Sequence, residues 1–283
     1  MGILDGLEAL GLGKLKSIDT IYEEEQHKST QEETPQAPPK KEEKDFLMEK
    51  EFECPVCQGK FRQRLARTTL KCIRHDRDLR PVYEGIDAVK YDVIFCPDCG
   101  YAVLSRFFAP LAPTHRKLLN EGIRKNFKPQ SRNLPETISY EDAALRYKMA
   151  LANAVVKLSK NSEKAYICLK AAWLYRGMRE DAIAKGETDK DAIKAMAETE
   201  KEYLITAADG FIKARAGETP PYAGMNSTTL DYVIAAIYLE TDTNLKDGVK
   251  LLQDVITSRT ATPQNKEKAR ELLAEIKKKM GIE

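Results

Sequence analysis

The sequence predicts an α+β chain, with a small zinc-ribbon-like β domain followed by an all-α helical repeat domain of tetratricopeptide-like type. Three observations carry this. Two CPxC turns, Cys54-Pro55-Val56-Cys57 and Cys96-Pro97-Asp98-Cys99, supply four thiols in two close pairs. Apolar side chains alternate through Tyr91, Val93 and Phe95 into the second turn, as in a strand. From about residue 140 the apolar period lengthens to 3.6 and stays there.

Composition sets the outer limits. The 283 residues hold one to three domains, and 32 % charged against 42 % hydrophobic residues is an ordinary soluble balance. The net charge of +2 is unevenly spread, because Glu51 to Arg132 carries 16 Lys/Arg against 9 Asp/Glu. No apolar run approaches the ~20 residues of a membrane-spanning helix. The start of the chain lacks a basic segment followed by an unbroken apolar one, so no secretory signal is expected and the protein is read as cytoplasmic.

Residues 1–21 place Leu4, Leu7, Leu10, Leu15 and Ile18 at helix-like intervals. Gly2, Gly6, Gly11 and Gly13 weaken that helix. The segment reads as an amphipathic piece for docking, for a membrane surface, or for packing on its own protein. Residues 22–50 are nearly all polar, with Glu23-Glu24-Glu25 and Pro38-Pro39, and read as a disordered charged linker.

Residues 51–135 form the expected metal domain. A two-residue spacing lets both sulfurs of a pair face one ion from a tight turn, and a second pair completes a tetrahedron. Cys54, Cys57, Cys96 and Cys99 are therefore the predicted ligands of a structural Zn²⁺. The 38 residues between Cys57 and Cys96 exceed the usual ribbon spacing of about 15–20, so an enlarged hairpin or loop is expected there. Disulfides are disfavoured in a reducing compartment. Phe52, Tyr101, Val103, Leu104, Phe107 and Phe108 supply a small apolar cluster around the site.

The insert between the turns is basic. Arg62, Arg64, Arg67, Lys71, Arg74 and Arg77, with Lys60 and Arg80, accompany only Asp76 and Asp78 between residues 60 and 80. Arg116, Lys117, Arg124, Lys125, Lys128 and Arg132 follow the second turn. Such a face suits nucleic-acid phosphates, though no aromatic residue interleaves positions 62–82 to stack a base. The plainer alternative is a solvated surface with local ion pairs. Cys72 and His75 form a Cys-x2-His pair that suits a substitute ligand, a redox-sensitive thiol, or simple packing. Cys168 lies in an Ala-rich helical context and reads as core, while His27 and His115 lack partners at ligand spacing.

Helices are expected over about 140–158, with Ala144, Tyr147, Leu151, Ala154, Val155 and Leu158 inward, then over 162–185, 189–216, 227–241, 244–259 and 263–280. Pro220-Pro221 enforces a break. Thr262 or Asn265 caps the last helix, with Pro263 in its first turn. Small and large residues alternate as in paired repeat helices: Tyr232, Ala235, Ala236 and Leu239, then Gly248, Leu252 and Val255. An irregular bundle is the alternative.

The CPVC turn, Arg74-His75-Asp76-Arg77-Asp78, Tyr91 with CPDCGYA, and Ala172-Trp173-Leu174-Tyr175-Arg176 together resemble a bacterial family catalogued as a domain of unknown function. It has a zinc-ribbon-like start and a tetratricopeptide-like end, and the resemblance covers roughly 50–280. It implies a cytoplasmic bacterial protein and supplies no activity.

No nucleophile–base pair, phosphate-cradling loop or carboxylate pair at a defined spacing is visible, and a four-thiolate zinc is closed to substrate. The expectation is a non-enzymatic adaptor that binds a protein or peptide partner through its helices. The alternatives are a nucleic-acid-associated factor using the basic face, a rubredoxin-like iron redox protein, and a thiol sensor built on Cys72.

Overall fold

The computed structural model describes residues 41–282. The segment expected over 1–21, and the linker up to residue 40, lie outside them. The end of that linker is folded instead of disordered. Glu43–Phe46 makes a 3-10 turn and Leu47 opens a strand. Leu47 is buried, and the Lys90 ammonium and Tyr91 hydroxyl both donate to the Glu43 carboxylate (2.7 and 2.8 Å), so this short polar stretch has tertiary partners.

Among the described residues six strands form three separate antiparallel hairpins. β1 (Leu47–Glu53) pairs with β2 (Lys60–Ala66), β3 (Cys72–His75) with β4 (Pro81–Tyr83), and β5 (Val93–Phe95) with β6 (Ala102–Leu104). A lone hairpin is marginal in water. These lean on one another through side chains. Gln63 of β2, fully buried, donates to the Val93 carbonyl (2.7 Å) and accepts the Phe95 N–H (3.0 Å), joining the first hairpin to the third where no ladder does.

The α+β expectation holds. The strands are followed by α1 (Pro113–Leu119), a π turn at Asn120–Arg124, then α2 (Tyr140–Val156), α3 (Asn161–Ala184), α4 (Lys190–Gly217), α5 (Ser227–Thr241), α6 (Leu245–Thr257) and α7 (Pro263–Lys279). Short polar side chains set several starts. Ser139, Asp189, Asn226 and Thr262 each accept a first-turn N–H, so α2, α4, α5 and α7 begin where the sequence places them. From α2 onward each helix packs on the next, and α5 also touches α7.

The inward face of α2 differs from the expected one. Ala143, Ala144, Tyr147, Ala150, Asn153 and Ala154 are buried, whereas Val155 and Leu158 are exposed. The helix ends at Val156 and Leu158 turns into left-handed backbone (φ 58°), so the period cannot be extended to it.

Strands and helices share a core. Leu47, Val89, Tyr91, Val93, Ala102 and Leu104 belong to the same buried cluster as Tyr147, Trp173, Phe211 and Ile234. Phe52, Phe61, Ile94, Tyr101 and Val103 close a smaller cluster around the four cysteines. The boundary at 135/136 therefore does not separate two independent interiors.

Helix pairing relies on small residues. Gly210 of α4 faces Ala165 of α3, and a Cβ on Gly210 would lie 2.8 Å from the Ala165 Cβ. Alanine would gain about 1 kcal/mol in helix propensity, but overpacking two rigid backbones costs about 1–3 kcal/mol. Gly210→Ala is expected to lower the urea midpoint, and a raised midpoint would show that the two helices can separate freely.

Candidate metal centre

The four predicted cysteines converge. Their Sγ atoms lie within 4.8 Å of one another, with Cys54, Cys96 and Cys99 buried and Cys57 half-buried. Each knuckle is a hairpin end. β1 delivers Cys54 and β2 leaves after Cys57; β5 delivers Cys96 and β6 leaves after Cys99. The turns close in the same way. Gln58 N–H donates to the Cys54 carbonyl (2.8 Å), and Gly100 N–H donates to the Cys96 carbonyl (3.1 Å). The residue after the second cysteine is left-handed in both, with φ 62° at Gln58 and 74° at Gly100. At Gly100 a side chain would also run into the Phe127 ring, so glycine is needed there for space as well as for backbone.

The sulfur spacing fits an ion. Cys54 and Cys99 are 3.5 Å apart and Cys57 and Cys96 are 3.7 Å apart. Four sulfurs at about 2.3 Å from one tetrahedral centre would stand about 3.8 Å from each other. Electrostatics agree. Hydrogen bonds from Cys96 and Cys99 hold the Cys54 thiol down to about 4, and the same contacts to Cys54 push Cys96 and Cys99 up. One negative charge suffices to raise its neighbours, so four thiolates require a cation among them. These residues could hold a metal ion.

The second knuckle is braced by parts of the chain that no motif revealed. The buried Asn153 amide of α2 donates to the Gly100 carbonyl (3.0 Å) and to the Met149 carbonyl (2.8 Å). Arg132 makes a two-pronged contact with Asp98 (2.9 and 2.8 Å). A polar residue within an Ala-rich helical face was the available signal for Asn153.

Most acidic partners of these basic residues lie outside residues 60–80. Arg62 lies 3.1 Å from Glu49 and 3.9 Å from Glu51, because β1 and β2 pair Glu51 with Arg62 and Glu49 with Arg64. Lys71 meets Glu84 (3.0 Å), Arg74 meets Asp76 (3.0 Å) and Arg77 meets Glu275 of α7 (2.5 Å). Arg80 is buried among Asp76, Asp87 and Glu180. Among the described residues only Arg64 and Arg67 of the six predicted phosphate-binding side chains have no carboxylate within 4 Å. Cys72 is exposed on β3, 3.9 Å from both His75 ring nitrogens and apart from the four-cysteine group. Cys168 is buried, and burial pushes its thiol up to about 11.

The insert between the knuckles ends inside the helical part. The tip of the β3–β4 hairpin puts Asp78, fully buried, against α3, where it accepts from the Trp173 indole (2.8 Å) and from two Arg176 nitrogens (3.1 and 2.9 Å). The RHDRD and AWLYR stretches are thus in direct contact. Asp76, Arg77, Arg176, Arg179, Glu200, Glu240 and Lys279 border a cleft of about 1060 Å³ there.

Fold and site together define an α+β chain with a candidate four-cysteine metal centre backed by helices that pack in sequence order. The chain belongs to the bacterial family described as "Uncharacterized protein conserved in bacteria (DUF2225)", whose family model matches residues 47–276. No curated protein and no solved structure matches it.

Replacing Cys96, a fully buried cysteine of the group, tests the set. Cys96→Ser is expected to abolish stoichiometric metal retention through purification, read by elemental analysis, and unchanged metal content would exclude these four residues as the ligand set.

Proposed function

We propose that the chain is a non-enzymatic adaptor. A structural zinc ion held by Cys54, Cys57, Cys96 and Cys99 fixes the strand region, and the helices α3 to α7 bind a protein or peptide partner. The observation that carries this reading is the largely buried convergence of four sulfurs at tetrahedral spacing. Four protein ligands fill a tetrahedral ion, whereas catalytic zinc keeps a position for water or substrate. Zinc supplies no redox chemistry there; it ties the two knuckles and couples folding to metal binding.

The partner side rests on the helices. Stacked helix pairs present a concave surface to segments of other chains, and the cleft beside α5 and α7 carries exposed charge of both signs at Arg77, Glu275 and Lys278. A cytoplasmic location is part of the same proposal. Among the described residues no helix is long and apolar enough to cross a membrane.

Two measurements check this. Titrating the protein with a thiol-modifying mercurial should first modify the exposed Cys72 without metal release, then release one zinc as the four clustered cysteines react, and leave it colourless throughout. A red protein with visible charge-transfer bands would support iron. Crosslinked capture in a bacterial host should yield a partner with the intact chain and lose it with Lys278→Glu plus Lys279→Glu. Salt-sensitive binding of an oligonucleotide, abolished by Arg64→Glu plus Arg67→Glu, would favour the nucleic-acid reading instead.

A further inference from the structure

Beneath the cleft, four carboxylates close on one guanidinium. Arg176 of α3 donates Nε to Glu200 (2.7 Å), Nη1 to Asp76 (3.4 Å) and Asp78 (3.1 Å), and Nη2 to Asp78 (2.9 Å) and Glu240 (2.6 Å). That uses every N–H an arginine has. The four acids expose 16, 0, 9 and 17 % of their side chains for Asp76, Asp78, Glu200 and Glu240. Other guanidinium groups help only at the edges: Arg74 and Arg80 meet Asp76, Arg80 is shared with Asp87 and Glu180, and Arg179 meets Glu200. Carboxylate therefore outnumbers guanidinium where water has little access, and like charges repel strongly there. A proton on one acid relieves the surplus. Glu240 is the acid placed to take it, since Arg176 is its one hydrogen-bonding partner, while Asp78 also accepts from the Trp173 indole and the Arg80 N–H, Glu200 also pairs with Arg179, and Asp76 with Arg74 and Arg80.

We propose that the Arg176 junction is a pH-responsive clasp on the cleft, in which protonated Glu240 lets α5 close against α3 and the hairpin tip, and ionised Glu240 loosens that seam. Every element around Glu240 contributes a charge: Asp78 and Arg77 from the hairpin, Arg176 from α3, Glu200 from α4, and Glu275, Lys278 and Lys279 from α7 at the outer lip. Burial, then repulsion by Asp78 and Glu200, pushes the Glu240 carboxyl up to about 7, against the pull of Arg176 and Arg77. The closed form thus binds the proton more tightly than a free carboxyl of ordinary value 4.5 does. The stabilisation from this proton is complete below that ordinary value and is lost as the pH rises through about 7. The clasp is independent of what occupies the cleft, and so does not depend on the adaptor reading.

Hydrogen exchange on the full-length, metal-loaded protein reads the seam directly. Between pH 6 and pH 8 the opening equilibrium of α5, taken from protection factors, should rise about tenfold in the wild type and then level off. Glu240→Gln keeps the shape and the acceptor without the charge, and its α5 protection should be flat over that range. Glu275→Gln, outside the junction, should keep the wild-type pH dependence. Carboxyl-carbon NMR of glutamate-labelled wild type needs no substitution and should show one glutamate titrating near neutrality. A wild type flat from pH 6 to 8, the same slope in Glu240→Gln, or no glutamate titrating in that range would overturn the proposal.

Discussion

Asp78 sits at the tip of a hairpin whose two ends lead to the two halves of the metal site, and its carboxylate is buried against Trp173 and Arg176. This contact explains why 38 residues separate Cys57 from Cys96. The insert must leave the knuckles, cross to α3 and return. Its backbone turns at the tip, where Leu79 is left-handed (φ 69°), and Arg80 folds back onto Asp76 and Asp87. A buried ion pair contributes little net stability, because desolvation offsets the attraction, but losing one partner costs about 3–5 kcal/mol. The junction therefore acts mainly on register: it fixes where the hairpin meets the helices and penalises any other docking.

The metal centre depends on the same arrangement. Asn153 of α2 holds the Gly100 carbonyl, Gln63 joins the first and third hairpins, and Leu104 leaves the second knuckle to enter the helical core. The knuckles are too small to hold themselves; a metal ion held by the four cysteines would tie them locally, and helices back them from behind. Strands and helices share one buried cluster.

Much of this was legible. Cysteine spacing is set by the reach of two sulfurs to one ion, so the CPxC pairs read directly as a site. The last helix's start was legible because Thr262 caps it, and Pro220-Pro221 marked a break that no helix crosses, whereas the caps at Ser139 and Asn226 emerge from the structure. What stayed hidden is contact over distance. Arg77 meets Glu275 198 residues away and Asp78 meets Arg176 98 residues away, so a local count of charges made the insert look unpaired. Arg62 finds Glu49 and Glu51 only through strand register. On α2, periodicity ran past the true helix end to Leu158 and passed over Asn153, because a buried amide is polar in sequence and its contact to the Gly100 carbonyl lies 53 residues away.

Trp173 is the only tryptophan and its indole N–H is bonded to Asp78, so its fluorescence reports the hairpin–helix contact, while far-ultraviolet circular dichroism reports the helices. The most direct test is urea unfolding followed by both signals, with the metal in place and after chelation. If the metal centre and the helices form one body, the two curves coincide in each condition and chelation moves both to lower urea together. A helical signal that keeps its midpoint after chelation, while the Trp173 signal shifts, would contradict the account.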